Sequence, residues 1–105
     1  MNATIKPTDK LIVYGHDACQ QARYMAASLA QYDIEHEWRD VRTGDPVYQI
    51  ELQSLANGNL SVPTLVFPDG VVMVEAWPRQ MLKKLGLQKP NILERLIRKL
   101  RTPAS

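Results

Sequence analysis

Short apolar runs alternate along this chain with segments whose apolar residues recur every three or four positions. Leu11-Ile12-Val13-Tyr14 is the first such run, and the Gly15 that closes it predicts a buried strand over residues 10–14. Ala22, Met25, Ala26, Leu29 and Ala30 then share one face of a helix reaching about Tyr32, with Asp17 as its predicted N-cap. Beyond Asp33, residues 35–41 alternate in the manner of a second strand. His36, Trp38 and Asp40 fall on one side, and Glu35, Glu37, Arg39 and Val41 on the other. Thr43-Gly44-Asp45-Pro46 offers a capping residue and a proline at the first helical position. Tyr48, Leu52, Leu55 and Ala56 line up on that second helix, and Asn57-Gly58-Asn59 stops it. Residues 62–67 and 71–74 are β-rich runs around Pro68-Asp69-Gly70, a hairpin pattern. Pro78 opens a third helix carrying Met81, Leu82 and Leu85, and Gly86 ends it. Lys89-Pro90 sets off a last amphipathic helix with Ile92, Leu93, Leu96, Ile97 and Leu100 on its apolar side.

The order is β-α-β-α-β-β-α plus an appended helix. A βαβ unit implies parallel first and second strands joined by a right-handed crossover, and the hairpin adds an antiparallel pair. Helices interspersed with strands cover both faces of a sheet. The expected architecture is therefore an α/β sandwich of thioredoxin-like type with a four-stranded mixed sheet. Residues 1–88 form its domain and residues 89–105 a basic amphipathic tail.

Composition agrees with one small domain: 105 residues, 45% of them hydrophobic. No apolar run approaches a membrane span, and the segment from Met1 to Pro7 lacks a secretory hydrophobic region. The net charge of +2 is unevenly spread. Residues 1–88 hold eight Lys and Arg against ten Asp and Glu, whereas residues 89–105 hold five against one. An acidic body without a basic, aromatic platform argues against nucleic-acid binding. Arg95, Arg98, Lys99 and Arg101 lie opposite the tail's apolar stripe. Such a helix either docks on its own domain, the favoured reading, or rests on an anionic membrane or a partner.

A single cysteine, Cys19, rules out an internal disulfide, so the expected setting is reducing and cytoplasmic. It stands where a strand hands over to a helix. There the helix dipole and the unpaired first-turn N–H groups favour a negative sulfur, and the thiolate is the reactive species. The plain alternative is a small, partly buried hydrophobe. Asp17 and Asp33 work mildly against ionisation. His16 either helps to ionise the thiol or is simply solvated. Arg23, four residues past Cys19, acts on it through the helix face or forms a surface ion pair. His36 is a strand residue, and two dispersed histidines with one cysteine make no zinc site. Pro63 begins an edge strand or occupies a more specialised position.

The pieces Val13-Tyr14-Gly15-His16-Asp17-Ala18-Cys19, Ala56-Asn57-Gly58-Asn59-Leu60-Ser61-Val62-Pro63-Thr64 and Phe67-Pro68-Asp69-Gly70, in this order of elements, resemble the glutaredoxins. The similarity is strongest to the mycoredoxin-like branch and covers residues 10–87, about three quarters of the chain. The family's redox motif is Cys-x-x-Cys, whereas this chain reads Cys19-Gln20-Gln21-Ala22 and also differs from the Cys-Gly-Phe-Ser of monothiol members. The resemblance implies a cis Val62–Pro63 bond beside the thiol, with the backbone of Val62 pairing with a bound small thiol, glutathione or mycothiol. Glu75-Ala76-Trp77-Pro78 stands where the family carries Gly-Gly-x-x-Asp, and the helix start there can hold an anion through free N–H groups. Trp77 lines the thiol groove or is a core or half-buried residue pinning the third helix. The implied activity is monothiol thiol–disulfide exchange at Cys19 on mixed disulfides between proteins and a small thiol. Catalytic Cys19 would be joined by His16, Val62, Pro63, Glu75 and Trp77 around the small thiol. No tightly bound cofactor or metal is expected, and the expected state is a monomer. The alternative is a redox-inactive binding or adaptor module. A cluster-bridging dimer is disfavoured, because the motif lacks the small glycine that such members use.

Overall fold

The computed structural model describes residues 10–87, which fold into four strands and three helices. Strand β1 is Leu11–Gly15, helix α1 Gln20–Gln31, strand β2 His36–Asp40, helix α2 Val47–Leu55, strand β3 Thr64–Val66, strand β4 Val72–Met73 and helix α3 Pro78–Lys84. The sheet runs β2-β1-β3-β4. β1 pairs parallel with β2 and antiparallel with β3, and β3 pairs antiparallel with β4. This is the mixed α/β arrangement expected from the element order. The expected helix within 89–105, and with it the boundary at residue 88, lies outside the described residues.

β1 is buried along its whole length, which explains why its sequence is an unbroken apolar run rather than an alternating one. Its two faces feed two cores. Leu11 and Val13 join Met25 and Leu29 of α1, Leu65, Phe67, Ala76, and Met81 and Leu82 of α3. Ile12 and Tyr14 join Val41, Val66, and Leu52 and Ala56 of α2. Helices thus cover both faces, α1 and α3 on one and α2 on the other. β2 supplies Trp38 to the first core, as the alternation over 35–41 requires.

Backbone signals end the helices. Asp33 follows α1 at φ 52, and Gly86 follows α3 at φ 72. At each of these ends the next N–H reaches back to a helical carbonyl, Ile34 to Leu29 at 2.9 Å and Leu87 to Leu82 at 2.8 Å. The turn between β3 and β4 closes through Gly70 N–H to the Phe67 carbonyl at 2.8 Å, with Gly70 at φ 90.

Two expected helix starts move. Asp17 is not the cap of α1; Cys19 is, with extended backbone at φ −97, ψ 122. Residues 16–18 form a turn in which the Cys19 N–H donates to the His16 carbonyl at 3.5 Å, so helical backbone begins only at Gln20. Pro46 precedes α2 as its N-cap rather than opening it, and the Asp45 carboxylate accepts from the Val47 N–H at 3.0 Å.

Candidate functional site

Three stretches distant in sequence are bonded to one another near Cys19: the start of α1, the link into β3, and the strap from β4 to α3, which reaches Gln21 and Pro63. Cys19 is partly exposed and unbonded to any other cysteine. Its thiol donates a long, weak hydrogen bond to the Val62 carbonyl, with Sγ 3.9 Å from the oxygen. No side chain caps α1 and no acidic residue lies in its first turn, so the positive end of the helix stands open beside the sulfur.

The Val62-Pro63 bond is cis, as the family resemblance implied. Val62 is half-buried and Pro63 buried. Thr64, fully buried, donates its hydroxyl to the Ser61 carbonyl at 2.8 Å and so fixes the link into β3. The Pro63 carbonyl accepts from the Ala76 N–H at 3.0 Å, which fastens the strap to the link. From α1, the Gln21 side-chain amide donates to both the Glu75 carbonyl at 2.8 Å and the Ala76 carbonyl at 3.0 Å. Glu75 itself sits at φ 53, in the left-handed region that non-glycine residues seldom adopt.

Trp77 caps α3 and is 51% exposed, so it is a surface residue of the strap and not a core one. Its N–H is taken by the Gln80 side chain at 2.8 Å. Pro78 has no N–H, and the Gln80 N–H bonds the Trp77 carbonyl. Only the Arg79 N–H is left in that first turn, so the cluster of free N–H groups expected to hold an anion is not assembled. Glu75 is exposed.

His16 is partly buried and its Nδ1 has no hydrogen-bond partner. Its neighbour by charge is Asp40 at the end of β2. The Thr43 N–H above all holds the Asp40 carboxyl below the usual carboxylate range, with help from the Arg42 N–H and a smaller effect of His16. Arg23 bonds neither the sulfur nor a carboxylate: its guanidinium donates to the Asp17 carbonyl at 2.7 Å and closes the turn before α1. His36 bonds the Ile34 carbonyl through Nδ1 at 2.8 Å, a local strand contact. Of the six expected site residues, Cys19 and Val62 touch, and Pro63 adjoins them. Glu75 and Trp77 flank Ala76 on the strap tied to Pro63, and His16 lies in the turn ahead of Cys19.

Sequence reasoning missed Gln21 and Asp40. Nothing in the second of two glutamines after a cysteine marks it as a clip. Asp40 was readable only as a strand residue, since its link to His16 depends on the register Gly15 opposite Asp40. Among the described residues, no group of three or more His, Cys, Asp or Glu could hold a metal ion, and no helix is long and apolar enough to cross a membrane. No protein-family model matches the chain, and no characterised protein matches it.

Proposed function

We propose that this chain is a thioredoxin-like protein of glutaredoxin kind, working in the cytoplasm as a monothiol thiol–disulfide oxidoreductase on mixed disulfides between proteins and a small thiol. The observation that carries the reading is the contact of a partly exposed Cys19 Sγ with the Val62 carbonyl, next to a cis proline and at the uncapped start of α1. The order β2-β1-β3-β4, with α1 and α3 on one face and α2 on the other, supports the fold assignment.

In this mechanism the Cys19 thiolate attacks the small-thiol sulfur of a mixed disulfide. The new bond joins Sγ to that sulfur, the old disulfide breaks, and the protein leaves as a thiolate that takes a proton from water. Ala22 stands where a second cysteine would resolve the adduct and is fully buried, so the second step needs an external reductant. A second molecule of glutathione or mycothiol, as thiolate, attacks the adduct, frees Cys19 and departs as the small-thiol disulfide. The Val62 backbone N–H bonds nothing among the described residues, which leaves it for the backbone of a bound thiol. No tightly bound cofactor takes part, and the working unit is a monomer.

The stoppered first turn of α3 favours one competing reading, a binding or adaptor module on the same fold without redox chemistry. A transfer assay separates the two. Purified protein is given a glutathionylated or mycothiolated protein substrate with excess small thiol, and Cys19→Ser is run beside it. The redox reading expects transfer by the wild type and none by the variant; equal rates leave the module.

A further inference from the structure

The contacts around Cys19 close into a ring. Sγ meets the Val62 carbonyl at 3.9 Å; the next residue, Pro63, accepts from the Ala76 N–H at 3.0 Å; and the Ala76 carbonyl accepts from Gln21 at 3.0 Å. Gln21 lies two residues beyond Cys19 on the first turn of α1, which completes the circuit. One amide group gripping two successive carbonyls holds the peptide plane between Glu75 and Ala76 from one side. The Pro63 carbonyl, accepting from the Ala76 N–H, holds that same plane from the other. That double grip keeps Glu75 in a left-handed conformation that its side chain would otherwise disfavour. It also sets the direction in which the strap presents Glu75 and Trp77, both exposed.

We propose that Gln21 is a positioning residue: by clipping the strap of residues 75–77 to α1, it fixes one wall of the small-thiol groove at a set distance from Cys19. This rests on the proposed redox function. The clip touches neither the sulfur nor the disulfide, so it governs how well a small thiol is seated and not how reactive the thiol is. A glutamine is suited to the task. Its NH₂ carries two donors, one for each carbonyl, and it brings no charge beside the sulfur.

The experiment compares wild type, Gln21→Met and Gln21→Ala. Methionine keeps the length, helix propensity and lack of charge but has no donor. Three readouts are taken: KM and kcat for the mixed-disulfide substrate, the alkylation rate of Cys19 by iodoacetamide, and hydrogen exchange at the Ala76 amide. Expected for both variants is a rise in KM of about five- to tenfold, the factor lost with one or two modest hydrogen bonds. The iodoacetamide rate stays at the wild-type value, because so small a reagent needs no wall. Ala76 exchanges faster while the β1 amides keep their protection. An unchanged KM overturns the proposal, as does a raised KM with Ala76 exchange unchanged, which would make Gln21 a direct substrate contact. A wild type no better than Cys19→Ser is a different failure: it removes the redox function, and the positioning role goes with it.

Discussion

A Cβ on Gly15 would lie 2.8 Å from two atoms of the Trp38 indole and 3.5 Å from the Ala22 Cβ. The glycine at the end of β1 therefore serves close approach, letting an indole from β2 slide under the start of α1. Gly15→Ala forces that ring to move and should cost about 1–3 kcal/mol, measurable as a lower urea midpoint. In the sequence Gly15 is legible only as the close of a strand, because Trp38 lies across the sheet. Asp40 gives a second test. Its folded-state value is lowered, chiefly by the Thr43 N–H, so its contribution is full above the ordinary carboxylate range near pH 4 and fades as pH falls through the lowered value. Asp40→Asn should thus be less stable than wild type at pH 7, with the gap narrowing toward pH 3. Thermal melts across that range check the sign, and a gap that widens on acidification contradicts it.

β2 reads His-Glu-Trp-Arg-Asp, an unpromising strand by composition, yet it pairs along all of β1. Alternation made it legible: Trp38 goes to one core and Arg39 to the other face. What could not be read was how a guanidinium is accommodated there. Arg39 bonds Glu51 of α2 at 2.8 Å, the Tyr14 hydroxyl at 3.0 Å and Glu37 at 2.6 Å, and lies 5.6 Å from the ring centres of Tyr14 and Tyr48. Tyr14 in turn donates to Glu51 at 2.8 Å, and burial together with that carboxylate holds its phenol well above the ordinary range. The network joins β1, β2 and α2 across 37 residues of chain. With the Arg39 and Glu51 side chains only 16% and 17% exposed, Glu51→Ala leaves a largely buried cation and hydroxyl short of an acceptor. A loss of about 2–4 kcal/mol is expected. Glu35→Ala, at an exposed pair 3.6 Å apart, should stay within about 0.5 kcal/mol of wild type. Denaturant unfolding of the two variants side by side checks the contrast.

Across the molecule, the order of strands and helices was legible because each element carries its own period and its own stop: Gly15, Asp33, Asn57-Gly58, Gly70 and Gly86 stand at element ends. The helix starts were less so. The turn before Cys19, closed by a backbone bond that no residue type announces, shifts the start of α1 by two residues, and Pro46 stands one residue ahead of α2 as its N-cap. Cys19, Pro63 and the strap residues Glu75 and Trp77 were expected at the site, and the Gln21 clip that ties the strap to α1 was not. Gln21 and Ala76 are 55 positions apart, and Cys19 and Val62 are 43 apart, so only the folded sheet brings them together. What the assembled site offers is a reachable sulfur beside an open helix end, and the most direct test is covalent. Protein treated with glutathione disulfide or mycothiol disulfide is weighed by mass spectrometry before and after the reduced thiol is added. A single small-thiol adduct that forms on wild type, disappears on adding the reduced thiol and is missing from Cys19→Ser is the expected result. A wild type that takes no adduct and also resists iodoacetamide would contradict a redox role for Cys19.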